Sequence, residues 1–327
     1  MKCLIKFSTA ILHIFALAGA AGDARGGEWT YDPGLRLLAH SSSNWVLRAS
    51  ASGSDLAIMW VDAKPKAPAP LPLDDRIADG YQLAEIGAGA FVKCEAMTSL
   101  AIPGTVTNIG SRAFSGCANL ERAQLPDGIQ NISDGAFSDC LRLASIEIPN
   151  SATNIGAGAF YNCAAIASIA IPGGVLRIGN SAFANCRSLR DARIAPGVAA
   201  IGDSAFSGCS VLASLHLPAS VSSIGEWAFY GCANLERLTI ANDSAAIGDY
   251  AFSGCDKLPN ANARAALHGA DPLLEAPAPA SATPPRGLAE LDDKIFYAIV
   301  SAIGIAALWL AWRAMKPKKT KDEWTDL

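Results

Sequence analysis

The stretch "IGAGAFVKC", residues 86–94, can be read in two opposite ways. Its Gly87-x-Gly89 suits a phosphate-cradling turn with a reactive thiol at Cys94, or it is architecture in which each residue is chosen for packing. Only the surrounding chain decides, because a fixed internal period changes the meaning of every motif inside it. Isoleucines stand at 86, 109, 132, 155, 178, 201, 224 and 247, an unbroken interval of 23 residues. Five places after each comes a phenylalanine: Phe91, Phe114, Phe137, Phe160, Phe183, Phe206, Phe229 and Phe252. An alanine precedes every one, and three places later stands a cysteine: Cys94, Cys117, Cys140, Cys163, Cys186, Cys209, Cys232 and Cys255. Eight copies without insertion turn the nine-residue stretch into one rung of a stack.

The rest of the unit keeps the same period. Met97, Leu120, Leu143, Ile166, Leu189, Leu212, Leu235 and Leu258 lie three residues beyond the cysteines. An alternating segment follows, such as "SIEIP" (145–149), "SIAIP" (168–172) or "SLHLP" (214–218). Apolar residues two apart mark a strand, and the proline ends its pairing. Each unit therefore contains one short strand, a tight glycine turn after the isoleucine, and a turn of coil or helix around Ala-Phe. No single unit of 23 residues can bury its own apolar side, whereas stacked units bury Ile, Phe, Cys and Leu in continuous columns. The expected fold is a solenoid with short parallel strands, about 40 Å long at a rung spacing of about 4.8 Å. Alanine before each phenylalanine leaves room for the next rung, and glycine after each isoleucine suits positive φ or close backbone approach. Ser133 replaces that glycine once, which predicts a relaxed φ requirement there.

The pattern I-G-x-x-A-F-x-x-C-x-x-L followed by I-x-I-P resembles the 23-residue leucine-rich repeats of the BspA-like, Treponema-type family. The resemblance covers about residues 81–258, and "DGYQLAEIG" at 79–87 is similar to the family's usual lead-in. Departures are local: Ala195 stands at the proline position with Pro196 one later, and Ala123 and Ala192 replace strand core residues. The resemblance implies an exported, curved repeat array used for cell-surface binding and adhesion, with no chemistry of its own.

The flanks supply the expected domain plan. Residues 1–22 read as a signal peptide, with Lys2 and Lys6 before an apolar run and Ala18-Gly19-Ala20 as the cleavage site. Residues 23–63 carry "EWTY", "NWVLRAS" and "LAIMWVD", short strands that form an N-terminal cap or a small independent module. A Pro-rich linker and repeat lead-in occupies 64–80, the solenoid 81–260, and a helical C-terminal cap 261–274. Residues 275–290 form a Pro/Ala-rich spacer of polyproline character. "IFYAIVSAIGIAALWLAW" (295–312), within 291–313, has the length and aromatic ends of a transmembrane helix. The basic tail 314–327 follows it, so the positive-inside rule places the tail in the cytoplasm and the repeats outside, at the cell surface or in the periplasm. Ala298, Ala302 and Ala306 form a small-residue stripe suited to a weak homodimer.

The chemistry-bearing motifs thin out on inspection. "IGAGAF" lacks the third glycine and downstream acid of a dinucleotide site, and other rungs read "IGSRAF" or "IGEWAF". The cysteines have no Cys-x-x-Cys pairing and no histidine in register, so neither metal nor cofactor is expected. An even count in an exported protein allows disulfides, but parallel Cβ vectors at rung spacing favour buried thiols. A formal net charge of −4 offers no basic field for nucleic acid. Residues 23–80 show no nucleophile–base pair, so no enzymatic activity is expected. Outward-facing strand positions are left for recognition: Gln124, Glu147, Arg193, His216 and Thr239, with Arg122, Asp191 and Arg237 one column earlier. They predict a protein or surface-glycan ligand bound across several rungs; the alternative is a structural envelope spacer with no specific ligand.

Overall fold

The computed structural model describes residues 29–258, apart from 35, 41–44, 64–68, 74–75 and 78–79, all within the compact unit Met1–Asp271. The first strands, β1 (Trp29–Asp32), β2 (Leu37–His40), β3 (Val46–Ser52) and β4 (Asp55–Ala63), form an antiparallel meander. β4 then pairs in parallel with β7 (Tyr81–Ile86), aligning Leu56 with Leu83 and Ile58 with Ile86, and the short β6 (Arg76–Ile77) pairs antiparallel with β7. One buried cluster runs from Tyr31 through Trp45 and Ile86 to Leu258, so the meander and the repeats share a core. The segment read as a Pro-rich linker contains β5 (Ala69–Leu71), which pairs in parallel with β8 (Met97–Ala101). β5 is the edge strand of its sheet, where Pro70 forfeits no ladder bond, and Leu71 reaches the core. The Pro70 carbonyl also accepts a 3.1 Å hydrogen bond from the buried Trp45 indole.

Each unit holds two strands rather than the single one expected. The longer set comprises β8, β10 (Arg122–Gln124), β12 (Ser145–Ile146), β14 (Ser168–Ile171), β16 (Asp191–Ile194), β18 (Ser214–Leu217) and β20 (Arg237–Ile240). The second set is made of residue pairs ending on the repeat isoleucines: β9 (Asn108–Ile109), β11 (Asn131–Ile132), β13 (Asn154–Ile155), β15 (Arg177–Ile178), β17 (Ala200–Ile201), β19 (Ser223–Ile224) and β21 (Ala246–Ile247). Rung pairs within each set are parallel and separated by 23 residues, as in Ile155↔Ile178 and Arg193↔His216. The Ala-Phe stretch is a run of turns whose donors reach forward to the next rung: Phe91 N–H to Ala113 O at 2.7 Å, Phe183 N–H to Ala205 O at 2.7 Å. A lone unit would leave these groups unpaired, so the unit is stable only in a stack. Where proline ends the longer strand its missing N–H stops the ladder; Ala195 and Ala241, at that position, instead donate to Ile171 O and Leu217 O.

The glycine after each isoleucine serves close approach, not positive φ. At Gly179 a Cβ would lie 2.6 Å from Gly156 C and 2.7 Å from Ala157 N, both backbone atoms of the rung before. Left-handed residues sit elsewhere, at two positions per rung that the sequence reading did not single out. One is the third residue after the isoleucine, from Gly89 to Tyr250; the other immediately precedes each cysteine, from Lys93 to Gly254. Ser133 therefore does not relax a φ requirement; it obstructs the approach. Elsewhere the glycine N–H donates to the preceding rung's isoleucine, as from Gly156 to Ile132 O at 2.7 Å. At Ser133 the hydroxyl makes that contact, Oγ to Ile109 O at 2.6 Å, and β9 and β11 are not paired among the described residues.

Substitution tests this directly. Gly179→Ala is expected to lower unfolding free energy by about 1–3 kcal/mol, because the added methyl meets backbone that cannot swing aside. Ser133→Gly should stay within about 1 kcal/mol of the wild type, a regained backbone bond offsetting glycine's entropy. Urea titrations of the two variants check this, and a neutral Gly179→Ala would sink the close-approach account.

Candidate binding surface

The eight strand-face positions all face away from the core. Arg122, Gln124, Glu147, Arg193, His216, Arg237 and Thr239 are exposed and Asp191 is half-buried, between inward residues such as Ala123, Ala192 and Leu215. Parallel register puts them in two columns, Ser168–Asp191–Ser214–Arg237 and Ala170–Arg193–His216–Thr239. Arg122 and Gln124 lie on a separate ladder with Ser145, because β12 and β14 do not pair among the described residues. Glu147 falls just past the end of β12, two residues shorter than the alternating "SIEI" suggests. The structure thus brings together Asp191, Arg193, His216, Arg237 and Thr239, and sets Arg122, Gln124 and Glu147 apart.

The electrostatics of this face are mild. Arg193 Nε pairs with Asp191 Oδ2 at 2.9 Å, with the two side chains 80% and 47% exposed. Such a solvent-exposed pair orients the guanidinium more than it stabilises the fold. Arg142–Glu121 and Lys257–Glu236, at 3.0 and 3.2 Å, are similarly exposed. No aromatic residue stands at the named strand-face positions. Rings gather instead on the turn edge, at Trp227, Tyr230 and Tyr250. The signal was present in the sequence as Trp and Tyr at a position that other rungs give to Gly, Arg or Ser.

The cysteine column, from Cys94 to Cys255, is buried and carries no disulfide among the described residues. Each Sγ from Cys117 to Cys255 donates to the carbonyl of the phenylalanine 26 residues earlier, at 3.1 to 3.4 Å. Cysteine thus fills the space of a small hydrophobe and also ties each rung to the one before. Burial pushes the Cys186 thiol up from 9.0 to about 12, and raises Cys163 and Cys209 well above the ordinary value. Cys232 is raised too, first by its hydrogen bond with Cys255 and then by burial. Such thiols are poor nucleophiles and poor metal ligands. Among the described residues no three His, Cys, Asp or Glu side chains gather to hold a metal ion. The apolar run 295–312, the signal-peptide reading and the C-terminal cap lie outside the described residues, among which no helix is long and apolar enough to cross a membrane.

Comparison with known proteins bears on this geometry. The family model for the BspA type leucine rich repeat region matches six copies, over residues 84–212 and 177–271. A leucine-rich repeat protein from Bacteroides ovatus ATCC 8483 is 31% identical and superposes with a TM-score of 0.59, covering 64% of this chain. The chain spans 55% of that protein's length. The T. pallidum leucine rich repeat protein is 28% identical with a TM-score of 0.52, over 67% of this chain and 91% of its own. No curated protein matches.

Proposed function

Because the chain belongs to the BspA-type leucine-rich repeat family, we propose that it is an exported, membrane-anchored recognition protein that binds a protein or surface glycan through its strand face. The supporting observation is the contrast between columns. Ile, Ala, Phe and Cys are the same in all eight rungs, whereas the exposed columns through Arg193, His216 and Arg237 change from rung to rung. A fold that fixes its interior and varies one solvent-facing sheet sums weak contacts over neighbouring rungs, and affinity grows with the number engaged. Export by residues 1–22, anchoring by 291–313 and a cytoplasmic tail 314–327 complete the reading, with the small-residue stripe as a weak dimer contact.

The test is capture of collagen, laminin and a glycan array by the purified full chain, with an Arg193→Ala/His216→Ala/Arg237→Ala variant beside it. Binding of at least one probe, weakened about tenfold or more by the triple variant, is the expected result. Uniformly absent binding, or binding indifferent to the variant, would favour a structural spacer. Topology has its own check: protease added to intact cells should remove the repeats, and full protection would count against a surface location.

A further inference from the structure

On the turn edge of the last two described rungs, three aromatic side chains form one cluster. Trp227 stacks on Tyr250 with ring centroids 4.6 Å apart and 21° between planes, and meets Tyr230 edge-on at 5.0 Å and 68°. Tyr230 is 44% exposed, while Trp227 and Tyr250 are half-buried. Trp227 and Tyr250 hold left-handed backbone, φ 58 and 57. The same position is Gly89, Arg112, Gly135 and Gly158 in earlier rungs, and Ser181 and Ser204 in the two just before. Bulky rings adopt that conformation at a greater cost than glycine, and the other six rungs fold the same backbone with Gly, Arg or Ser and no ring. The rings are therefore not there for the turn.

Among the described residues, the charged side chains next to these rings in their column are acidic. Glu226 directly precedes Trp227, Asp249 directly precedes Tyr250, and Asp203 occupies the same column one rung earlier; all three are exposed. Asp203 is oriented by accepting Glu226 N–H at 3.0 Å and Asn180 Nδ2–H at 3.2 Å. No lysine or arginine occurs between Arg193 and Arg237, and Lys257 is paired with Glu236. An aromatic face flanked by carboxylates attracts a cation twice, through the ring quadrupole and through charge. The chain already makes half of this arrangement internally, where the Arg48 guanidinium lies over the Trp60 ring at 5.4 Å.

We propose that Trp227, Tyr230 and Tyr250, with Glu226 and Asp249, form a docking site for an arginine or lysine side chain on a basic segment of a protein partner. The site lies on a different edge from the strand face and stands whether or not that face binds anything. Arginine suits it best, since a planar guanidinium stacks on a ring while its edge reaches a carboxylate.

Titration of the full chain with a hexa-arginine peptide, followed by calorimetry and tryptophan fluorescence, tests the site. Trp227→Ser takes the residue found at Ser181 and Ser204, so it removes the ring while keeping a turn the fold already uses. It should weaken binding at least tenfold without lowering the melting temperature. Glu226→Gln with Asp249→Asn, both exposed, should weaken it comparably, added salt should weaken wild-type binding, and Arg193→Ala/His216→Ala should leave it unchanged. Three results would overturn the proposal: no hexa-arginine binding, binding indifferent to Trp227→Ser, or Trp227-dependent binding of cellohexaose with none of the peptide. The last would make the rings a sugar platform.

Discussion

Raising the pH from about 9 towards about 12 is expected to unfold the solenoid, with the buried thiols of Cys163, Cys186, Cys209 and Cys232 as the main cause. A cysteine in the unfolded chain ionises near its ordinary value of 9.0, whereas Cys186 in the fold holds its proton to about 12. Above about pH 9 the unfolded state thus binds fewer protons than the native one, and stability falls as pH rises. Below about pH 9 the contribution is fully present; by about pH 12 it is lost. For Cys186 alone this is about 4 kcal/mol, a large share of a typical domain's stability. Cys163, Cys209 and Cys232 are shifted the same way, and so is Tyr31, chiefly by burial. Urea midpoints should therefore drop steeply across this range, with the thiolate absorbance of these four cysteines appearing only as the fold is lost. Iodoacetamide at about pH 8 should spare the column in the native state and label it in denaturant. Thiolate absorbance rising near the ordinary value while circular dichroism stays native would refute the account. A Cys186→Ala variant should be less stable than wild type at neutral pH but lose less of its stability on alkaline titration.

The same column marks how far the sequence alone carries. The register of Ile86, Phe91 and Cys94 with their later copies is legible because stacking imposes an identity requirement at each interior position. The inward and outward alternation of the longer strands is legible for the same reason, and Arg193, His216 and Thr239 face solvent as their spacing implies. What escapes is whatever depends on the backbone path between rungs. A pattern such as Asn154-Ile155 is too short to announce a strand, and only pairing with Arg177-Ile178 makes it one. The left-handed residue before each cysteine left a trace, since Gly116, Asp139, Asn162 and Asn185 are the types that tolerate it. The one four residues earlier left none, because Arg112 and Trp227 are not. Aromatic clustering at Trp227 required knowing that this position points to the turn edge. The thiol-to-carbonyl bonds required knowing that the phenylalanine carbonyl of one rung faces the cysteine of the next.

Phe183→Ala is expected to cost about 3–5 kcal/mol, and the position dependence of that cost carries the solenoid argument. Phe183 is fully buried between two rings, Phe160 at 5.1 Å and Phe206 at 5.2 Å, each 11° from parallel. Truncation removes its own buried area, leaves a void the stacked backbone cannot close, and breaks both ring contacts. Phe252, in the last described rung, stacks on Phe229 alone among the described rings, at 5.3 Å, and is 5% exposed. Phe252→Ala should therefore cost distinctly less, measured by urea unfolding under the same conditions. If stability is a sum of rung terms and nearest-neighbour contacts, coupling must fall off abruptly along the stack. Phe183→Ala with Phe206→Ala should deviate from additivity by about 0.5–1.5 kcal/mol, whereas Phe183→Ala with Phe114→Ala, three rungs apart, should be additive. Equal costs at 183 and 252, or coupling undiminished across three rungs, would mean the column behaves as one cooperative core. In that case the binding face could not be altered at one rung without disturbing the others. The expected short range leaves each rung's exposed residues free to vary, the property that a recognition surface built from repeats requires.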